Sequence, residues 1–321
     1  MSQAIRVLFW LAAIALIGHA SAQTWPAKPV KFIVPNAAGS VPDVIARMLG
    51  DRLSLALGRQ FVVENNTAGA GLVAAQVAGR SAPDGYTFFL GTIVSLATNQ
   101  YMFKSLPYDP ERDFTPVAML YDSGAFAIAV HPDVAAGSLS ELIALAKAQP
   151  GKLSYAADRG LASIVGEWLN KVVGTQIVLV PYKAVAQSLQ DTVAGRTQMI
   201  IISTAAVDSL RRAGKLRVLA VSSINRFPGL KDIPTISETV PGFHAAGWSS
   251  LVAPTGTPAE ILQRLNRETD RFLKEPEVIE RLLGFGLTTS GAGTPQSVAE
   301  FVRNERERWG RIMKEVGVQP E

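Results

Sequence analysis

The chain contains no cysteine and only three histidines, at positions 19, 131 and 244. A disulfide framework and lipid attachment through an N-terminal cysteine are therefore excluded, and a zinc site of Cys and His is not expected. Charged residues are sparse, at 18% against a usual ~25%, and the formal net charge is +4. Lys and Arg are interleaved with Asp and Glu, so there is no basic stripe of the kind nucleic acid requires. GxSxG, HExxH, Walker A and CxxC patterns are absent, and Ser, His and Asp follow no recognisable order. No catalytic residue, metal or cofactor is expected. After the first 22 residues, no segment approaches ~18 uninterrupted apolar residues.

The N-terminus is a targeting segment. Arg6 precedes an apolar core from Val7 to Ile17, and small residues at Ser21 and Ala22 follow. This is the pattern of a Sec signal peptide cut after Ala22, which predicts a periplasmic location. The remainder, about 300 residues, suits two domains of about 150 residues each.

Strands and helices then alternate, which predicts an α/β fold with largely parallel sheets. Apolar runs at 32–34, 60–65 and 86–92 read as strands, with helices after the first two and another near 95–103. Two β-like runs, 117–121 and 126–130, are separated by Asp122, Ser123 and Gly124, where the chain is expected to cross into a second domain. A second alternating block follows, opened by a capping box of Ser138 and Glu141. Residues 241–254 read as a return crossing, and helices near 258–274, 277–283 and 295–315 close the chain. The expected lobes are 23–123 with 246–321, and 124–245. Between them lies one cleft, lined by loops at the carboxyl ends of the strands.

The first such loop, Asn36 to Ser40, joins a strand to a helix that begins at Pro42 and Asp43. A helix N-terminus there offers free N–H groups to a carboxylate or phosphate; alternatively, Ser40 or Asp43 simply caps the helix. Residues 69–74 fit GxGxxA, but the glycines come late after the strand and no acidic residue ends the next one, which argues against a dinucleotide site. Asn65 to Thr67 matches a glycosylation acceptor, which carries no weight in a bacterial exported protein. His131 and His244 read as structural.

The strings PDGYTFFLGT, LPYDPERDFTPVAML, SLSELIALAKAQPGKLSYA, VPYK, RRAGKLRVLAVSS, DIPTISETVPGF and GTPAEILQRLN together resemble the extracytoplasmic receptors of tripartite tricarboxylate transporters, the Bug family. The resemblance runs from about Pro26 to Gly317. It implies a two-lobed periplasmic-binding-protein fold of the Venus-flytrap type (type II) with two crossover segments, and no enzymatic activity. It also implies that a small organic acid is captured and handed to membrane permease subunits, with a ligand-sensing adaptor for a membrane signalling system as the alternative. A monomer is expected. From the loops at strand ends and from this resemblance together, the candidate ligand positions are Asn36, Ala37, Gly39, Ser40, Asp43, Thr92, Ser95, Asp158, Arg159, Ser163, Tyr182, Ala184, Ser203 and Thr204.

The scaffold strings fit the family better than the cleft loops do. The family's second loop glycine is Ser40, its Pro-Thr is Val41-Pro42, and its Gly-Gly-Asn-Ile-Gly is Ala70 to Ala74. Ser163 stands where a His is usual, and Ile202-Ser203 where Asp-Asn is common. The expected pocket is drier, around Leu72, Leu161 and Ile202, with Arg159 as an added cation. Such a pocket suits an acid with an aromatic or apolar body, or else a receptor that has drifted from transport.

Overall fold

The computed structural model describes residues 25–158 and 160–320. The signal segment and Arg159 lie outside the described residues.

The chain opens as the sequence reading expects. Strand β1 (Val30–Val34) feeds helix α1 (Val41–Leu57), and β2 (Phe61–Asn65) returns parallel to β1 with Phe61 opposite Val30. Helix α1 buries Ile45, Ala46, Leu49 and Leu53 and stops at Gly58, whose left-handed backbone sends its N–H to the Ser54 carbonyl. Helix α2 (Leu72–Gly79) leads to β3 (Thr87–Thr92), parallel to β1 on its other edge. A short helix α3 (Asn99–Met102) precedes the long strand β4 (Phe114–Val130).

The second block alternates without exception. It contains α4 (Leu139–Ala148), β5 (Ser154–Asp158), α5 (Leu161–Val173), β6 (Val178–Tyr182), α6 (Val185–Val193), β7 (Met199–Ser203), α7 (Thr204–Arg212) and β8 (Arg217–Val221). Ser138 caps α4 from its side chain, while Glu141 reaches one residue further back, to the Gly137 N–H at 2.7 Å. The return crossing becomes β9 (Ala246–Pro254), followed by α8 (Ala259–Leu273), α9 (Pro276–Gly284), the two-residue β10 (Leu287–Thr288) and α10 (Pro295–Glu315).

The strands form one curled sheet in the order β2-β1-β3-β9-β4-β7-β5-β6, with β8 and β10 also on β4. Two expectations are corrected here. Residues 122–124 do not separate two strands: they continue β4, because Gly124 pairs with Gly247 of β9 on one edge and Leu287 of β10 on the other. Register shifts along the β9 pairing, between Met119 and Gly124, re-aim the strand without breaking it. The helix expected near 95–103 is a π-helical turn, Val94–Thr98, followed only by α3. Leu96 fills the space above Gly91, where a Cβ would lie 2.4 Å from its Cδ1, and this fixes the turn against β3.

A buried apolar cluster runs unbroken from Ile33 and Phe89 through Trp309 of α10 to Tyr155 and Leu169. Two further clusters cover the remaining sheet faces, one around Phe32, Leu49 and Leu265, the other around Ala127, Ile200 and Val221. Within each half the strands preceding the candidate loops are parallel, so their carboxyl ends lie side by side.

Candidate ligand cleft

The turn after β1 is the most heavily braced loop of the cleft. Gly39 takes a positive φ of 80°, and its N–H donates to Asp43 Oδ2 at 2.8 Å. Asn65, at the end of β2, donates to both the Asn36 carbonyl (3.0 Å) and Asp43 Oδ1 (2.8 Å). One turn along α1, Arg47 reaches back to Asp43 at 2.9 and 3.1 Å and to Asn65 Oδ1 at 3.0 Å. Burial alone would raise the Asp43 carboxyl, but Arg47, the Gly39 N–H and Asn65 outweigh it and hold the group below its ordinary value. Asp43 therefore holds the turn closed and has little left for a ligand.

Neither capping alternative holds at this helix. Ser40 is the N-cap residue, but no side chain caps α1, and Asp43 turns back to Gly39. Ser40 Oγ and Asn36 Oδ1 are both shielded from solvent without a hydrogen-bond partner. Thr204 Oγ1 is the third such atom among the described residues. Ala37 and Gly39 are exposed on the rim of the turn.

The loop after β3 is also self-braced. Ser95 Oγ accepts the Thr92 N–H at 2.9 Å and donates back to the Thr92 carbonyl, so this hydroxyl closes its own turn. The Ser95 carbonyl accepts from Tyr108, whose hydroxyl is pushed up to about 12 by burial despite a bond from Asn99.

In the other half, Asp158 Oδ1 accepts the Gly160 N–H and Ser163 Oγ donates to the Gly160 carbonyl, both at 2.8 Å. Tyr182 donates to Asp191 at 2.8 Å, and burial, with the Asp191 carboxylate, raises its pKa. Ala184 is the N-cap of α6, and Ser203, exposed, is that of α7. Thr204 is buried beside Gly286, where a Cβ would come within 2.5 Å of Thr204 Oγ1. The structure thus groups the candidates at the carboxyl ends of β1 and β3 in one half and of β5, β6 and β7 in the other. The side chains of Asp43, Ser95, Asp158, Ser163 and Tyr182 are hydrogen-bonded within the protein, whereas Asn36 Oδ1, Ser40 Oγ and Thr204 Oγ1 are shielded without a partner.

Sequence reasoning missed Arg47 and Asn65. Arg47 was legible as the i+4 partner of Asp43. Asn65 was not, because its role depends on β2 ending beside β1.

The family model described as "Tripartite tricarboxylate transporter family receptor" matches residues 45–318. The chain belongs to this receptor family. Protein BugT of Bordetella pertussis is 32% identical to the receptor over 312 residues, covering 96% of this chain and 95% of BugT. Among solved structures, Rpa4515 of R. palustris with adipate is 34% identical, with a TM-score of 0.78, over 92% of this chain and all of that one. MatC of Rhodopseudomonas palustris, with bound malate, is 27% identical at a TM-score of 0.72, over 90% of this chain and 99% of that one. The receptor is accordingly a two-lobed solute-binding protein of the periplasmic type and not an enzyme. Among the described residues no helix is long and apolar enough to cross a membrane, and no cluster of potential metal ligands occurs.

Proposed function

We propose that the receptor captures a small carboxylate on a partly apolar body between two lobes, 23–123 with 246–321 and 124–245. It acts in the periplasm after loss of residues 1–22, and passes the acid to the permease subunits of a tripartite transporter. The observation that carries this reading is the turn after β1. It is held rigid from three sides while Ser40 Oγ and Asn36 Oδ1 keep their hydrogen-bonding capacity unspent at a helix N-terminus. Adipate and malate in the structures of two relatives support an acid as the ligand class. In this reading the partly exposed Leu72 and Leu161, with Ile202 buried next to Ser203 in sequence, make the loops less polar and favour a ligand with fewer polar groups between or beside its carboxylates. Lobe closure then excludes water and strengthens each bond inside.

The test is a thermal-shift panel on residues 23–321 with aliphatic dicarboxylates including adipate and malate, aromatic acids, amino acids and nicotinate. An acid at ~100 times its dissociation constant adds about 2.7 kcal/mol, which is a shift of a few degrees. Ser40→Ala is expected to leave the unliganded melt in place, since no bond is lost, and to weaken acid binding about tenfold, or ~1.4 kcal/mol. A panel in which no acid shifts the melt, or a Ser40→Ala protein that binds as tightly as the parent, overturns the reading.

A further inference from the structure

A cavity of about 390 Å³ opens where the two crossings meet the last helix, and it shares no residue with the loops described above. Its walls include Asp122 from β4, Phe227 from beyond β8, Trp248 from β9 and Phe301 from α10. The volume lies within the usual range of small-molecule sites, about 300–1,000 Å³.

The charges in its wall nearly cancel, and what remains decides the chemistry. Arg226 is bound at both ends of its fork by Glu238, at 2.9 and 2.6 Å, and donates to the Lys231 carbonyl. Arg308 is bound in the same way by Glu305, at 2.7 and 3.0 Å, and donates to the His244 carbonyl at 2.7 Å. Glu305 also accepts from the indoles of Trp248 and Trp309. Burial, then Arg308, holds His244 below its ordinary value, which disfavours a charged imidazole. Asp122 remains. Its carboxylate accepts the Ser290 N–H at 2.9 Å and joins no ion pair among the described residues. Beside it in the same cavity stand Phe227 and the edge-to-face pair of Trp248 and Phe301, 5.5 Å apart.

We propose that this hinge cavity is a second ligand site, for a small organic ammonium whose charge rests on Asp122 and whose apolar body lies against the aromatic wall. A carboxylate and aromatic rings in one cavity are the groups that hold an ammonium. An anion finds both guanidinium forks engaged and a residual negative charge. The walls come from both sides of the crossings, so occupancy is linked to the angle between the lobes. Linkage makes the effect reciprocal: the ammonium changes acid affinity by the same factor as the acid changes ammonium affinity.

Phenethylamine and its uncharged analogue 2-phenylethanol, added to residues 23–321, test the assignment by thermal shift and calorimetry. The amine is expected to raise the melt by a few degrees and the alcohol not to. Asp122→Asn keeps an acceptor for the Ser290 N–H and should lower amine affinity at least tenfold with little change in the unliganded melt. Should that variant fail to fold, Phe301→Leu provides the same comparison through the apolar wall. Ser40→Ala, in the acid turn, should leave amine affinity unchanged. No shift with the amine, an equal shift with the alcohol, or undiminished binding in the Asp122 or Phe301 variant overturns the proposal. A loss in Ser40→Ala does so too, because it places the amine in the acid cleft.

Discussion

At the residue scale, Asp43 is a buried carboxylate whose hydrogen bonds all go to its own turn and its neighbours Asn65 and Arg47. Against the upward push of burial, Arg47, the Gly39 N–H and Asn65 hold its folded pKa below the ordinary carboxylate value, so the unfolded chain binds this proton more readily. Stability from this group is present above the unfolded value and is lost as pH falls through the folded one. Thermal melts at a series of pH values should therefore show a decline that begins below about pH 5. In Asp43→Asn that part of the decline should flatten, and near neutral pH the variant should be less stable by on the order of 1–3 kcal/mol, because Arg47 loses its anion. Thr204→Val makes the opposite case. The Thr204 hydroxyl has no partner to lose, so the variant should melt at the same temperature as the parent or above it. The sequence marks this turn and its carboxylate, and the structure shows Asp43 engaged with Gly39, Asn65 and Arg47. Residue type shows that a carboxylate can bind or brace; only the meeting of Gly39, Asn65 and Arg47 around it shows which.

At the element scale, helices were legible where their ends are marked. Gly58 and Gly174 stop α1 and α5 in left-handed conformations, and Ser138 and Thr294 cap α4 and α10. Strand β4 was misread because Asp-Ser-Gly is turn chemistry, and pairing on both edges overrides it. The π-helical turn was illegible for a related reason, since it depends on Leu96 sitting over Gly91 and on Arg306, far along the chain, binding the Leu96 carbonyl. Two glycines carry these loops. At Gly71, φ is 88° and a Cβ would stand 2.9 Å from Pro35 Cβ, at the root of the acid turn. Gly71→Ala should cost roughly 1–3 kcal/mol in urea unfolding and also weaken acid binding, because relief of the clash displaces Pro35. Gly91→Ala is expected to show a similar loss of stability, through Leu96.

At the scale of the whole molecule, α10 joins parts that are far apart along the chain. Arg306, buried, donates to the carbonyls of Leu96 and Pro110 at 3.3 Å and pairs with Glu111 at 3.0 Å, while Arg308 binds the second crossing. Helix α10 therefore ties the loop after β3 to the hinge. Arg306→Met leaves those carbonyls without their donor and should destabilise the protein by about 1–3 kcal/mol. If the lobes close on an acid, small-angle scattering should record a smaller radius of gyration with the acid than without it, and an unchanged radius would leave closure without support. Alternation of strands and helices conveyed this architecture well, because periodicity survives in a single sequence. It could not convey that the arginines of α10 include a buried cation, Arg306, at the join between the loops and the crossings.

The place of β9 has a consequence for the order in which the molecule can be built. It fills the gap between β3 and β4, pairing Phe89 with Val252 and Phe114 with Pro254. The half-sheet begun at the N-terminus therefore stays open until residues 246–254 are available, whereas β4 to β8 are contiguous in chain order. In a polypeptide made from its N-terminus, the half synthesised second is the half that can finish first. The outer edge of β3 stays without its partner until β9 is made, so the leading half of the sheet closes only when the chain is nearly complete.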